Sequence, residues 1–119
     1  MKTTSNNIKL SKEEFIAFVL IYASHIDYEF SENEISFIKE RTSDNVYDNM
    51  INLFELNGDY TSMKIILSHK EEYFCSEEKQ NKLYQMLIDL FKVDGEYSRI
   101  EKNFLPFLKK MIESDFTGI

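Results

Sequence analysis

The spacing of apolar residues along the chain predicts helices throughout and no sheet. Apolar positions recur three and four residues apart in successive segments, which is the period of an α-helix, and alternation at a period of two is scarce. The first segment is apolar on nearly all sides from Phe15 to Ala23, which predicts a helix buried at the centre of a bundle. The pattern therefore predicts an all-α, single-domain helical bundle of about five to seven helices. We expect its buried core to include Phe18, Leu20, Ile21, Leu87, Ile88 and Phe91.

Start and stop signals predict where the helices begin and end. Three segments open with a capping box, in which a Ser is followed three residues later by a Glu. The boxes are Ser11/Glu14, Ser31/Glu34 and Ser98/Glu101. Ser43 or Asp44 and Ser76 predict two further starts, and Asn57-Gly58 predicts a stop. The expected helices cover, in order, 11–25, 31–41, 43–57, 61–74, 77–93 and 98–113. Pro106 is expected to kink the last one.

The chain contains an internal repeat. When residues 20–38 are laid over 87–105, an offset of 67, seven positions are identical. They are Leu20/Leu87, Ile21/Ile88, Asp27/Asp94, Glu29/Glu96, Ser31/Ser98, Glu34/Glu101 and Phe37/Phe104. In each copy a buried helix ends, a short acidic turn follows and a capped helix begins. This predicts two related helical hairpins with pseudo-two-fold symmetry, whose first helices, 11–25 and 77–93, pack together at the centre.

The two acidic turns, residues 27–34 and 94–101, are the candidate functional site. Each places carboxylates at its first, third and eighth positions, where oxygen ligands can surround a hard cation such as Ca²⁺, Mg²⁺ or Mn²⁺. The candidate metal ligands are Asp27, Glu29, Glu34, Asp94, Glu96 and Glu101. An EF-hand is excluded, because its Gly and its bidentate Glu would fall on Arg99 and Leu105 in the second turn. Parallel central helices would join the turns into one patch, whereas antiparallel helices would separate them.

Helix capping is an alternative explanation for part of this pattern. Ser31 and Glu34 cap a helix without any ligand, and Asp94-Gly95 is a favourable turn sequence. Capping does not account for Asp27, because a negative charge near a helix C-terminus is mildly unfavourable. The same unfavourable choice made in both turns favours the cation hypothesis. A protein partner is the other candidate ligand, with an aromatic rim formed by Tyr22, Tyr28, Phe30 and Tyr97.

The acidic turns and their flanks resemble a known family. Segments 23–34 and 91–101 are similar to the doubled ADGxxSxxE pattern of the TerB-like domain, which is named from tellurite resistance. The resemblance extends over roughly 11–112 and implies an all-helical pseudo-symmetric fold, a stress-associated role and cation sites at the six carboxylates. Tyr28 departs from the family's Gly in the first turn. We accordingly expect a flexible N-terminus over 1–10, a TerB-like domain over 11–113 and a C-terminal tail over 114–119.

The charge balance narrows the range of partners. The formal net charge is −7 and the lysines are dispersed, so the sequence lacks the basic surface that nucleic acid requires. The first ten residues lack the apolar segment of a signal peptide, and the longest apolar run is too short to span a bilayer. We therefore expect a cytoplasmic protein with no membrane insertion and no nucleic-acid partner.

The sequence has no pattern typical of an enzyme. Glycine-rich phosphate loops, Ser/His/Asp arrangements and CxxC pairs are absent. We expect Cys75 to be a small core residue, His25 to interact with the end of the first helix, and His69 to be solvated. A non-enzymatic cation- or partner-binding module is the main hypothesis. A metal-dependent enzyme on the same carboxylates and a protein-interaction domain without metal are the alternatives.

Overall fold

The protein, seen in a computed structural model, is an all-helical single domain. The structure describes residues 8–25, 31–93 and 99–113, with the side chains of 99–101, 112 and 113 left out. Within these ranges the chain forms six helices and no strand. The helices are α1 (Lys12–Ser24), α2 (Glu32–Lys39), α3 (Asp44–Ser68), α4 (Lys70–Tyr73), α5 (Glu77–Phe91) and α6 (Arg99–Glu113). The predicted fold class is confirmed.

Serine caps fix the starts of four helices where the sequence predicts them. Ser11 and Ser31 form complete capping boxes, in which the serine hydroxyl accepts from the Glu backbone N–H and the Glu carboxylate accepts from the serine N–H. Ser43 and Ser76 cap α3 and α5 by accepting backbone N–H groups with their hydroxyls. The third predicted box, at Ser98, lies outside the described residues.

Helix α1 is the centre of the bundle. Eight of its 13 residues are buried, and they face every direction around the helix axis. It packs most extensively against α3, and it also packs against α5 as the repeat predicts. Helix α5 differs from α1 in being buried on one face only. Helix α5 buries one face with Leu83, Leu87 and Leu90 and exposes the other, and Ile88 is only partly buried.

Helix α3 consists of two halves that run in opposite directions along α1. The backbone N–H of Ser43, at the start of α3, donates to the Glu13 carboxylate at the start of α1 over 2.7 Å. Phe54 then contacts Tyr22, near the end of α1, with ring centroids 6.1 Å apart. His69, which follows α3, is back beside Phe15, with centroids 5.6 Å apart. The chain therefore reverses between Phe54 and His69.

The reversal takes place at Gly58, where the sequence predicts a stop. Gly58 has φ 77° and ψ −177°, a backbone conformation open essentially only to glycine. The predicted helix over 61–74 differs from the structure at its second half, because α3 ends at Ser68 and the chain turns at His69 into the short α4. Helix α6 continues without interruption through Pro106.

His69 joins the N-terminal segment to the rest of the bundle. The prediction that its side chain is exposed to solvent is wrong. Only 3% of the residue is exposed. Its Nε2 accepts the backbone N–H of Leu10 over 3.0 Å, and its Nδ1 lies 2.8 Å from the Ile65 carbonyl. Because Nε2 accepts this bond, Nδ1 is the ring nitrogen left to donate to the Ile65 carbonyl. The Tyr73 hydroxyl donates to the Leu10 carbonyl over 2.8 Å. Both the backbone N–H and the backbone carbonyl of Leu10 are therefore hydrogen-bonded to side chains.

Candidate functional site

The two helices that precede the acidic turns are parallel and end at the same end of the bundle. Phe15 and Ile16, near the start of α1, line a common cleft with Leu83 and Met86 in the middle of α5. Towards their ends, Tyr22 of α1 and Phe91 of α5 both contact Phe104 of α6, with ring centroids 5.9 Å and 6.2 Å apart. Of the two packing modes left open by the sequence, parallel and antiparallel, the described parts of α1 and α5 have the parallel one.

We call this end of the bundle, marked by His25, Gly58 and Val93, the turn end. Helices α2 and α6 lead away from it. The segment that follows α2 brings Ser43 beside the start of α1. The Lys109 Nζ of α6 lies over the Tyr84 ring of α5, 5.2 Å from its centroid. In each hairpin, the first helix therefore runs towards the turn end and the second helix runs away from it, as the repeat predicts.

The six predicted metal ligands differ in how far the structure describes them. Asp27, Glu29, Asp94 and Glu96 lie outside the described residues. Glu101 falls in the first turn of α6, and its side chain is also outside the description. Glu34 is the exception: it is 2% exposed, and its Oε1 accepts the Ser31 backbone N–H over 3.1 Å. The capping box therefore explains the position of Glu34 without a cation.

The structure adds Asp59 to the acids at the turn end. This residue directly follows Gly58 and is exposed. Burial raises the pKa of the Tyr22 phenol above its ordinary value, and the negative charge of Asp59 raises that pKa further. Because Tyr22 is on the last turns of α1, this interaction locates Asp59 beside the same helix end. The stop at Gly58 is the one sequence signal near Asp59, which belongs to neither repeat.

His25 ends α1 and faces the protein, as expected for a residue at a helix C-terminus. Its Nδ1 lies 2.7 Å from the Ile21 carbonyl. Its ring lies against Phe54, with centroids 4.7 Å apart. This arrangement satisfies one of the unpaired carbonyls at the end of α1 and explains His25 as a helix cap.

Chemistry-bearing residues elsewhere in the described chain do not form a second candidate centre. No group of three or more His, Cys, Asp or Glu side chains within the described ranges is placed to hold a metal ion. Cys75 is exposed, so the expectation that it is a core residue is wrong. Its Sγ lies 3.6 Å from the Lys79 Nζ. The residue sits in the extended link between α4 and α5, where neighbouring Phe74 takes the buried position instead.

Comparison with known proteins finds no protein family, no curated protein and no solved structure that matches this chain. Among the described residues, no helix combines the length and the apolar composition needed to cross a membrane.

Proposed function

We propose that this chain is a non-enzymatic, TerB-like helical module that binds a divalent cation through the acidic turns at its turn end. The observation that carries the proposal is the parallel packing of α1 and α5, whose ends share Phe104 as a neighbour. Because Asp27 and Asp94 each follow one of those helices by a few residues, we expect their carboxylates to share this end of the bundle. The charge of Asp59 acts on Tyr22 of α1 at the same end.

A cation is the ligand that this arrangement of charge favours. Carboxylates brought together in one region repel each other, and a divalent ion relieves that repulsion while accepting oxygen ligands. We assign Ca²⁺, Mg²⁺ or Mn²⁺ to the site, since all three prefer carboxylate oxygen. The proposal also places the protein in the cytoplasm, where the exposed thiol of Cys75 stays reduced, and in a stress-associated role by the TerB resemblance.

Thermal melting with added cation tests this proposal. At a cation concentration about ten times Kd, we expect the melting temperature of the wild type to rise by roughly 5 °C. Asp94→Asn should abolish the rise while leaving the cation-free protein at least as stable, because it removes a repelling charge. Glu71→Gln is the matched control, since Glu71 is an exposed acid on α4 at the opposite end.

The outcomes separate the proposal from its alternatives. A wild type that shows no melting shift with millimolar Ca²⁺, Mg²⁺ or Mn²⁺ contradicts cation binding and leaves a basic protein partner as the ligand of these acids. If the melting temperature of Asp94→Asn still rises with added cation, the cation binds at another site.

A further inference from the structure

A second feature lies at the end of the bundle opposite the turn end. Helices α1, α4 and α5 enclose a cleft of about 270 Å³ there. Its floor is formed by Phe15, Phe74 and Leu83, each of which is at most 5% exposed. Its walls are the partly exposed side chains of Ile16, Tyr73 and Met86. The cleft is therefore an apolar concavity open to solvent on one side.

The rim of the cleft is predominantly basic. Lys12 of α1 and Lys79 and Lys82 of α5 line it, and Glu72 is the one acid among its lining residues. Among the lining residues, three lysines thus stand against one acid, in a chain whose formal net charge is −7. Lys82 also lies 3.8 Å from Glu78 in a pair whose side chains are both more than 75% exposed, and such a pair is weak enough for an anion to compete with it.

The cleft walls are held in place by contacts behind them. The Tyr73 ring stacks on Phe15 with centroids 4.9 Å apart, and on the buried His69 ring with centroids 5.9 Å apart. The Tyr73 hydroxyl is bonded to the Leu10 carbonyl. Because these groups are already ordered, a ligand that enters the cleft loses little free energy in ordering the site.

We propose that this cleft binds small amphipathic carboxylates, with the apolar part of the ligand on the Phe15–Leu83 floor and the carboxylate at the lysine rim. Its volume lies just below the usual range for drug-sized ligands, which fits an acid of about six to ten carbons. One turn of a helix, roughly 10 Å across and 5.4 Å long, occupies more than the 270 Å³ of the cleft, so a small molecule fits it better than a helix. The lysines select an anion over a neutral or cationic molecule of the same shape. This site is separate from the acidic turns, and its ligand does not depend on the proposed cation.

Titration with octanoate, followed by the amide signals of the protein in two-dimensional NMR, tests the proposal. We expect saturable shifts at Ile16, Tyr73 and Leu83. Octanol should bind more weakly, because it lacks the charge, and octylamine should give no saturable shift at these residues. Lys79→Gln should weaken octanoate binding about threefold, as expected for one exposed ion pair, and Lys12→Gln/Lys79→Gln about tenfold. All substituted lysines are exposed, so the fold is retained.

Lys64→Gln is the control, because Lys64 lies over Tyr60 on α3 and outside the cleft. It should leave octanoate binding unchanged. The proposal is overturned if octanoate gives no saturable shift at millimolar concentration, if octanol binds as tightly as octanoate, or if the shifts fall outside the cleft.

Discussion

At the scale of single residues, polar groups buried in the bundle decide how its parts are held together. His69, Tyr73 and Leu10 form one set, in which two side chains from the α3–α5 link hold both backbone polar groups of an N-terminal residue. A buried backbone N–H or carbonyl that lost its partner would destabilise the fold by about 1–3 kcal/mol. These three residues therefore hold the N-terminal segment against the core.

Tyr73 is expected to make the stability of the protein depend on pH in the alkaline range. Burial raises the pKa of its phenol above 10.0, and the negative charges of Glu72 and Glu14 raise it further. The folded state thus holds this proton more tightly than the unfolded state. The resulting stabilisation is fully present below about pH 10 and is lost as the pH rises through the higher pKa of the folded state.

Urea unfolding of Tyr73→Phe measures this contribution. Near neutral pH the variant should be less stable than the wild type by about 0.5–1.5 kcal/mol, through loss of the bond to Leu10. The difference should shrink as the pH rises above about 10, because the wild-type phenol then ionises more readily in the unfolded state than in the folded state. Tyr60→Phe, at a position 77% exposed, is the control and should match the wild type throughout. A difference that grows with pH would contradict the assignment.

Two buried serines are expected to destabilise the bundle. Ser24 and Ser62 are fully buried, and among the described residues neither hydroxyl has a hydrogen-bond partner. Ser62→Ala removes such a hydroxyl and should stabilise the protein by about 1 kcal/mol or more. Ser36→Ala, at an exposed helical position, should stabilise the protein by no more than about 0.5 kcal/mol, because its only effect is the higher helix propensity of alanine. Chemical denaturation of both variants compares them, and a less stable Ser62→Ala would show that this hydroxyl is paired.

The sequence is a poor guide at this scale because burial of a polar residue depends on distant parts of the chain. His69 lies in a charged local segment, so the local pattern indicates solvent, yet its partner Leu10 is 59 positions away. Cys75 follows two aromatic residues, so the local pattern indicates the core, yet Phe74 is buried and Cys75 is exposed.

At the scale of helices, local signals act as the sequence predicts. The serine caps at Ser11, Ser31, Ser43 and Ser76 all begin helices, because each hydroxyl satisfies a backbone N–H that has no partner within its own helix. Burial is less local. The apolar residues on all sides of α1 predict that it is the central helix. How much of α5 is buried depends instead on how α3 packs against α1.

Gly58 is the residue on which the reversal of α3 depends. Space around it is open, since a Cβ atom there would meet nothing within 4 Å. Gly58→Ala should therefore destabilise the protein only through its positive φ, by about 1–3 kcal/mol. Asn52→Ala, at an exposed position in the regular part of α3, should be neutral or slightly stabilising. Thermal or urea unfolding distinguishes the two, and equal effects would mean that Gly58 does not require its positive φ.

At the scale of the whole molecule, the arrangement of helices determines what the two repeats can do together. The repeat predicts two equivalent turns but not their relative position, because parallel and antiparallel packing give the same sequence pattern. The contacts of Phe104 with Tyr22 and Phe91 establish the parallel form. The same arrangement brings Asp59, which belongs to neither repeat, to the turn end, and so the sequence could not have predicted its place.

The two proposed sites belong to opposite ends of the bundle. The apolar cleft with Lys12, Lys79 and Lys82 on its rim lies on the starting side of α1 and α5, whereas the acidic turns follow the ends of these two helices in the sequence. A cation and an amphipathic anion would therefore bind about one bundle length apart, without competing.

Paramagnetic broadening by Mn²⁺ in amide NMR spectra is the most direct test of the claim that the two acidic turns act as one site. Mn²⁺ at less than one equivalent should broaden the signals of His25, Asp59 and Val93 together, while Leu10 and Ser76 at the opposite end stay sharp. Asp94→Asn should weaken the effect at His25 as well as at Val93. Broadening confined to one turn, or spread evenly over exposed acids such as Glu77 and Glu78, would contradict the account.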